Sequence, residues 1–193
     1  MTTLETPRLR LRPFVDADRA PFAALNADPV TMRHFPGPLT RAQSDATVDA
    51  ILQRFETNGG WGQFAVERLS DAAFIGMVGL DRPGFTAPFT PTIELLWRIA
   101  RAYEGHGYVT EAARAAAGFA FTELRAPRLH AFTVPANTRS RAVMERLGMT
   151  HLTDGDFDHP GLAQGHPLRR HVLYVLQNPV AAPGLNQTVN AAP

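Results

Sequence analysis

The chain has 193 residues, 45% of them hydrophobic, and its 19 basic against 18 acidic residues leave a formal net charge of +1. That length carries one domain with a substantial core, and near-neutral charge removes the electrostatic reason to expect a nucleic acid or an anionic membrane as a partner. There is no cysteine, which excludes disulfides, thiolate metal sites and a cysteine nucleophile and fits a reducing, cytoplasmic compartment.

No apolar run approaches the roughly 18 residues of a membrane helix, and the N-terminus lacks a signal-peptide pattern. Leu9 and Leu11 alternate with Arg8, Arg10 and Arg12, the period of a half-exposed strand. Asp16 to Ala27 reads as a short helix stopped at Asp28-Pro29. Thr40-x-x-Gln43 forms a capping box ahead of Val48, Ile51, Leu52 and Phe55, whose spacing puts four apolar groups on one helix face. Gln63–Leu69 and Phe74–Leu80 read as a strand hairpin, and Pro83 to Pro91, carrying Phe85 and Phe89, as a mobile loop bordering a pocket.

Ile93 to Ile99 is an apolar, strand-like run, and an alanine-rich helix opens after Gly107. Between them lies Glu104-Gly105-His106-Gly107-Tyr108-Val109-Thr110. Glycines at 105 and 107 leave backbone N–H groups uncovered just where a helix adds its positive dipole end, so the segment reads as a phosphate cradle. It is neither a dinucleotide fingerprint, since position 110 is Thr, nor a P-loop, since Gly-Lys-Ser/Thr is missing. The plainer alternative is a turn between strand and helix. Leu129–Val134, Asn137–Leu147 and Val172–Leu176 then read as strand, helix and strand, with Gly148 suited to end the helix. Interleaved helices and strands predict an α/β or α+β fold.

Four motifs occur in order: Glu5-Thr6-Pro7-Arg8-Leu9-Arg10-Leu11-Arg12; Ile93 to Ile99; Gly105-x-Gly107-Tyr108-x-Thr110-Glu111-Ala112; and Asn137-x-x-Ser140-x-x-Val143-x-x-x-Leu147-Gly148-Met149. Together they resemble the GNAT N-acetyltransferases, in particular the RimJ/RimL-like ribosomal-protein acetyltransferases. The resemblance implies one GNAT-like domain over residues 1–177, a central, twisted, mixed and mostly antiparallel sheet flanked by helices. Residues 178–193, rich in Ala, Pro and Asn without apolar periodicity, are expected to be a disordered tail.

The resemblance also implies roles. Acetyl-CoA would be the co-substrate, its pyrophosphate on the amides of Glu104, Gly105, His106, Gly107, Tyr108, Val109 and Thr110, its pantetheine along Arg98, Ile99 and Ala100 with Asn137 beside it. Arg98, Arg139 and Arg141 are each candidates to meet a CoA phosphate. Glu104 stands where Arg or Gln is usual, and Val109 where Gly or Ala is usual. Glu94 matches the carboxylate that takes the amine proton, or is a strand acid paired with an arginine. A backbone N–H near Trp97 to Ile99 would polarise the thioester. The customary tyrosine acid is replaced by Met144, which leaves Ser140 as the nearest relay, or as a first-turn helix residue behind an Asn137 cap.

The acceptor would be a primary amine, of a protein N-terminus or a small molecule, with Trp61, Phe89, Phe157, His159 and His166 near it. Trp61 is equally readable as core. Four histidines fall between residues 151 and 171, but their irregular gaps do not match a zinc pattern, and no metal is expected. Direct attack of the amine on the thioester follows from the missing cysteine. A non-catalytic acyl-CoA-binding module is the alternative, and a homodimer is compatible with the sequence.

Overall fold

In a computed structural model of the chain, which describes residues 2–179, the N-terminal alternation makes strand β2 (Leu9–Arg12), with Leu9 and Leu11 fully buried. A two-residue strand, β1 (Leu4–Glu5), pairs with it. Helix α1 (Arg19–Ala27) follows a 3-10 turn at Asp16–Asp18, and α2 (Arg41–Thr57) comes next. The capping box of α2 closes in both directions: the Gln43 N–H donates to Thr40 Oγ1 at 3.3 Å and the Thr40 N–H to Gln43 Oε1 at 2.8 Å. Val48, Ile51 and Phe55 are buried on the face their spacing predicts.

The hairpin of β3 (Gln63–Arg68) and β4 (Ala73–Asp81) leads to β5 (Glu94–Ile99), α3 (Tyr108–Thr122), β6 (Arg128–Thr133) and α4 (Thr138–Arg146). Two short strands, β7 (Thr150–His151) and β8 (Phe157–Asp158), precede β9 (Arg170–Gln177). The strand order is β1-β2-β3-β4-β5-β6-β9-β7, with β8 against β9. Only the β5–β6 pairing is parallel, so the domain is α/β with a mixed, mostly antiparallel sheet. Strands of two residues carry no period, which is why β1, β7 and β8 do not show in the sequence.

The helices sort to the two faces by strand alternation. Leu96 packs with Phe14, Phe22, Val48 and Ile51, under α1 and α2. Leu95, Trp97 and Ile99 pack instead with the alanines of α3, and Trp97 also reaches the cluster around Met144 of α4. Ala112, Ala113, Ala116 and Ala120 are all fully buried, and their small side chains seat α3 close to the sheet. Asn178, placed at the start of the expected tail, is buried, with its N–H bonded to the Pro127 carbonyl. Residues 180–193 of that tail lie outside the described residues.

Candidate active site

The parallel ladder between β5 and β6 holds a single residue pair, Glu94 with His130. Beyond it the strands part, and a cleft of about 1060 Å³ opens between them. The Ala100 N–H donates to Ile75 of β4 and the Ile93 carbonyl accepts from His130 of β6. Alternation therefore turns the N–H groups of Trp97 and Ile99 toward the parting, the edge expected to carry the thioester-polarising amide.

The glycine turn closes one end. Gly105 (φ +80°) and Gly107 (φ +79°) are left-handed, and Gly107 is the N-cap of α3. Among the described residues, no acceptor takes the N–H groups of residues 105–110. A run of unsatisfied donors at a helix N-terminus suits an anion. The turn is pinned from outside by Glu111, which accepts from the Thr6 hydroxyl at 2.6 Å, the Arg8 N–H at 3.0 Å and Arg8 Nε at 2.6 Å, while Arg8 Nη1 donates to the His106 carbonyl at 3.1 Å. Partial burial alone would raise the Glu111 carboxyl; these hydrogen bonds outweigh it and hold the group below its ordinary range. Glu104 is ion-paired with Arg139 of α4, so the glycine turn and α4 are bridged at the cleft.

Of the residues expected to meet the cofactor, Arg98, Ile99, Glu104, Gly105, Val109 and Asn137 line the cleft. Ala100, His106, Gly107, Tyr108 and Thr110 do not. Tyr108 lies under the Arg8 guanidinium, 4.7 Å from the ring centre. Arg98 is placed differently from the expectation. Strand alternation turns it to the face opposite α3, where Nη1 donates to Asn26 of α1 and the guanidinium lies 4.2 Å from the centre of the Phe35 ring. It therefore points away from the glycine turn's side of the sheet.

Glu94 sits where the strands part and makes no ion pair among the described residues. Arg54, whose charge acts on Glu94, is taken by Asp81, which also accepts from Gln63 Nε2 at 2.8 Å. Asp81 is directly opposite Glu94 in the β4–β5 register. Desolvation, with the Asp81 charge second, pushes the Glu94 carboxyl up to about 8.

On α4, Asn137 caps the helix: its Oδ1 accepts the Ser140 N–H at 3.3 Å and its Nδ2 donates to Thr133 Oγ1 at 2.9 Å. One Nδ2 hydrogen remains free. The Ser140 hydroxyl has no partner among the described residues, and both Ser140 and Met144 line the cleft.

The far wall is aromatic. Phe85, Phe89, Phe132 and Phe157 interlock, with centroid separations of 4.8 Å for Phe89–Phe157 and 5.4 Å for Phe132–Phe157. Phe85 and Phe89 are thus anchored by rings within the 83–91 segment, where the sequence suggested a mobile loop bordering a pocket, and none of its residues lines the cleft. Phe89 and Phe157 form the backing, whereas Phe132, His159 and His171 face the cleft. Trp61 is core, 5% exposed beneath the Arg82 guanidinium, and His166 folds back so that its Nδ1 accepts the Leu168 N–H at 3.1 Å; neither lines the cleft.

His171 was missed because it sits among the strand residues of β9. Its Nδ1 lies 3.1 Å from the Arg169 carbonyl, which assigns the proton to Nδ1 and leaves Nε2 as an acceptor. Desolvation lowers its pKa and that of His159, so both are neutral near pH 7. The segment 31–36, with Arg33, His34 and Phe35 on the cleft, was also unforeseen. Among the described residues no group of His, Asp or Glu is arranged to hold a metal ion, and no helix is long and apolar enough to cross a membrane.

Parallel strands that part beside a glycine turn, on a mostly antiparallel sheet, are the arrangement that the family resemblance implied. A profile described as the acetyltransferase (GNAT) domain matches residues 8–150, and the chain belongs to that family. It is 32% identical over 149 residues to the uncharacterized protein YkkB of Bacillus subtilis, covering 77% of this chain and 85% of that protein. It is 30% identical over 177 residues to the FsC-acetyl coenzyme A-N(2)-transacetylase of Aspergillus fumigatus, covering 84% and 73%. An acetyltransferase structure from Agrobacterium tumefaciens superposes with a TM-score of 0.72 at 28% identity, over 92% of this chain and 95% of that one. RimL, a ribosomal L7/L12 α-N-acetyltransferase solved with coenzyme A, shares the fold at 12% identity, with a TM-score of 0.73 over 91% and 98%. The family's general reaction is acetyl transfer to an amine, with acetyl-CoA as donor.

Proposed function

We propose that the chain transfers the acetyl group of acetyl-CoA to a primary amine by direct attack, with Glu94 as the base. The observation that carries this reading is an unpaired carboxyl, raised to about 8, at the point where β5 and β6 part. A general base works best when its pKa lies near the operating pH. The residues fit the cofactor: unsatisfied amides at 105–110 suit a pyrophosphate, and the open β5 edge offers Trp97 and Ile99 N–H groups to an extended amide-bearing chain.

When bound, acetyl-CoA supplies an activated acyl carbon and a thiolate leaving group. Glu94 takes the proton of the attacking amine, directly or through a water, as the C–N bond forms and the C–S bond breaks. The amide donors of the open edge stabilise the oxygen on which negative charge develops. Ser140, whose hydroxyl lines the cleft unengaged, relays a solvent proton to the departing sulfur. The neutral His171 ring stands ready as a second acceptor on the aromatic wall.

Within the family we place the chain in the RimJ/RimL-like branch, supported by its four ordered motifs and the shared fold. The test is mass spectrometry of a mixed library of peptide N-termini and small amines incubated with isotopically labelled acetyl-CoA, with calorimetry of acetyl-CoA binding alongside. Label on any amine supports acetyl transfer. Binding without label turns the assignment to a sensing module, and absence of binding overturns the cofactor.

A further inference from the structure

Arg98 breaks a rule that the rest of the molecule keeps. Buried cations are ordinarily paired, and Arg12, with 18% of its side chain exposed, holds both Asp18 and Glu67. Arg98 is comparably enclosed but has no carboxylate within reach among the described residues. Its one hydrogen bond goes from Nη1 to Asn26 Oδ1. Nε is shielded from solvent without a partner, and no acceptor meets Nη2. Desolvation, unopposed by any neighbouring charge, pulls the guanidinium down to about 10.

The residue is nonetheless built in. Asn26 is fully buried and anchored by its Nδ2 to Ser44 Oγ at 2.9 Å, so a chain of buried polar groups running from α2 through α1 fixes the guanidinium. Phe35 covers its flat face. Nη2 is left unengaged, a charged N–H donor that suits a carboxylate oxygen. Glu94 lies four residues earlier on the same strand and the same face, so this side of the cleft has a carboxyl at one end and an unsatisfied guanidinium at the other.

We propose that Arg98 receives a carboxylate carried by the acceptor, so that the amine acetylated here belongs to a free amino acid or to a peptide with an acidic residue close to its N-terminus. The inference rests on the acetyl-transfer reading above. It separates these acceptors from polyamines and from uncharged peptide N-termini, which leave the guanidinium unpaired.

The test uses matched acceptors with labelled acetyl-CoA: the L-amino acids, their carboxamides and their decarboxylated amines, together with peptides bearing Asp or Glu against Asn or Gln at the second position. Wild type is expected to favour the carboxylate member of a pair by about 30-fold in kcat/KM, mostly through KM. Preference among free amino acids identifies a small-molecule acceptor, and preference only among peptides identifies an N-terminal one. In Arg98→Met the ratio collapses toward one while acetyl-CoA affinity, measured by calorimetry, holds. Carboxylate acceptors raise the melting temperature of wild type only. Arg98→Lys, which keeps the charge but not the planar guanidinium over Phe35, retains part of the preference. Amines acetylated equally with and without a carboxylate overturn this proposal and leave acetyl transfer standing; a loss of acetyl-CoA affinity in Arg98→Met overturns it in favour of a cofactor role; no labelled amine of any kind takes both readings down.

Discussion

The wall of the cleft that carries the glycine turn is made from one stretch of chain, residues 94–109, whereas the wall facing it is assembled from segments far apart in sequence: 31–36, Phe132, α4 and 159–171. The first is rich in free backbone donors, with conformation set by two left-handed glycines. The second is rich in side chains, with an aromatic cluster and two neutral imidazoles. A backbone-built site recognises what every reaction of this type shares. A side-chain-built site changes with single substitutions and so can set the acceptor.

The sharpest way to break this contrast is at Glu94, where the two walls meet. Glu94→Gln is expected to lower kcat/KM by about a hundredfold or more with acetyl-CoA affinity unchanged, read by steady-state kinetics and calorimetry. Wild-type activity should rise with pH through about 8, as the carboxyl loses its proton. Stability runs the other way. The folded protein keeps this proton up to about 8, whereas the unfolded chain releases it near 4.3, so between those values the folded state binds more protons and loses stability as pH rises. Glu94→Gln should therefore melt higher than wild type at pH 9, with the gap closing toward pH 4.

On the cofactor side, Gly107→Ala tests whether backbone geometry alone makes the cradle. A Cβ there meets nothing closer than Arg8 Nη2 at 3.6 Å, so the cost is the left-handed φ of +79°. About 1–2 kcal/mol of conformational strain corresponds to acetyl-CoA affinity weakened about tenfold, with the acceptor preference unchanged. An unaltered Kd would remove the turn from the binding site.

This same contrast explains what the sequence disclosed. The cradle, its helix and the α2 capping box were legible because local chemistry decides them: a positive φ wants glycine, and Thr40 and Gln43 satisfy each other three residues apart. Glu94 was legible through family resemblance, but its isolation from Arg54 was not, since that depends on Asp81 winning the arginine from another strand. Arg98 was read on the cofactor side; its face follows from strand parity, and its partners, Asn26 and Phe35, are long-range. Trp61 shows the limit of aromatic residues as markers, because burial in the core and exposure on a pocket wall use the same side chain.

Smaller effects probe the pinning of the turn. Glu111→Gln removes the carboxylate that joins Thr6 and Arg8 to α3, and is expected to cost about 1 kcal/mol, or a melting temperature lower by about 2–4 °C. The carboxyl is held below its ordinary value, so its contribution is present above the unfolded-state pKa and fades as pH falls through the folded one; wild type and variant should converge in acid.

The smallest effect distinguishes a latch from a bystander at the cleft mouth. Glu104 and Arg139 neutralise each other across the parting, on side chains 27% and 65% exposed, and exposed pairs of this kind contribute under about 1 kcal/mol. Glu104 is also an acid of the turn that lines the cleft, so its charge opposes a pyrophosphate unless Arg139 cancels it. Glu104→Gln frees the cation and removes the anion, and should tighten acetyl-CoA binding about two- to threefold at low ionic strength. Arg139→Gln leaves the acid uncancelled and should weaken it by a similar factor. Because both effects act through partly solvated charges, 0.5 M salt should shrink them toward zero. Opposite signs that vanish together in salt would assign the pair to electrostatic tuning of the cradle; equal losses in both variants would make it a structural clasp between the turn and α4.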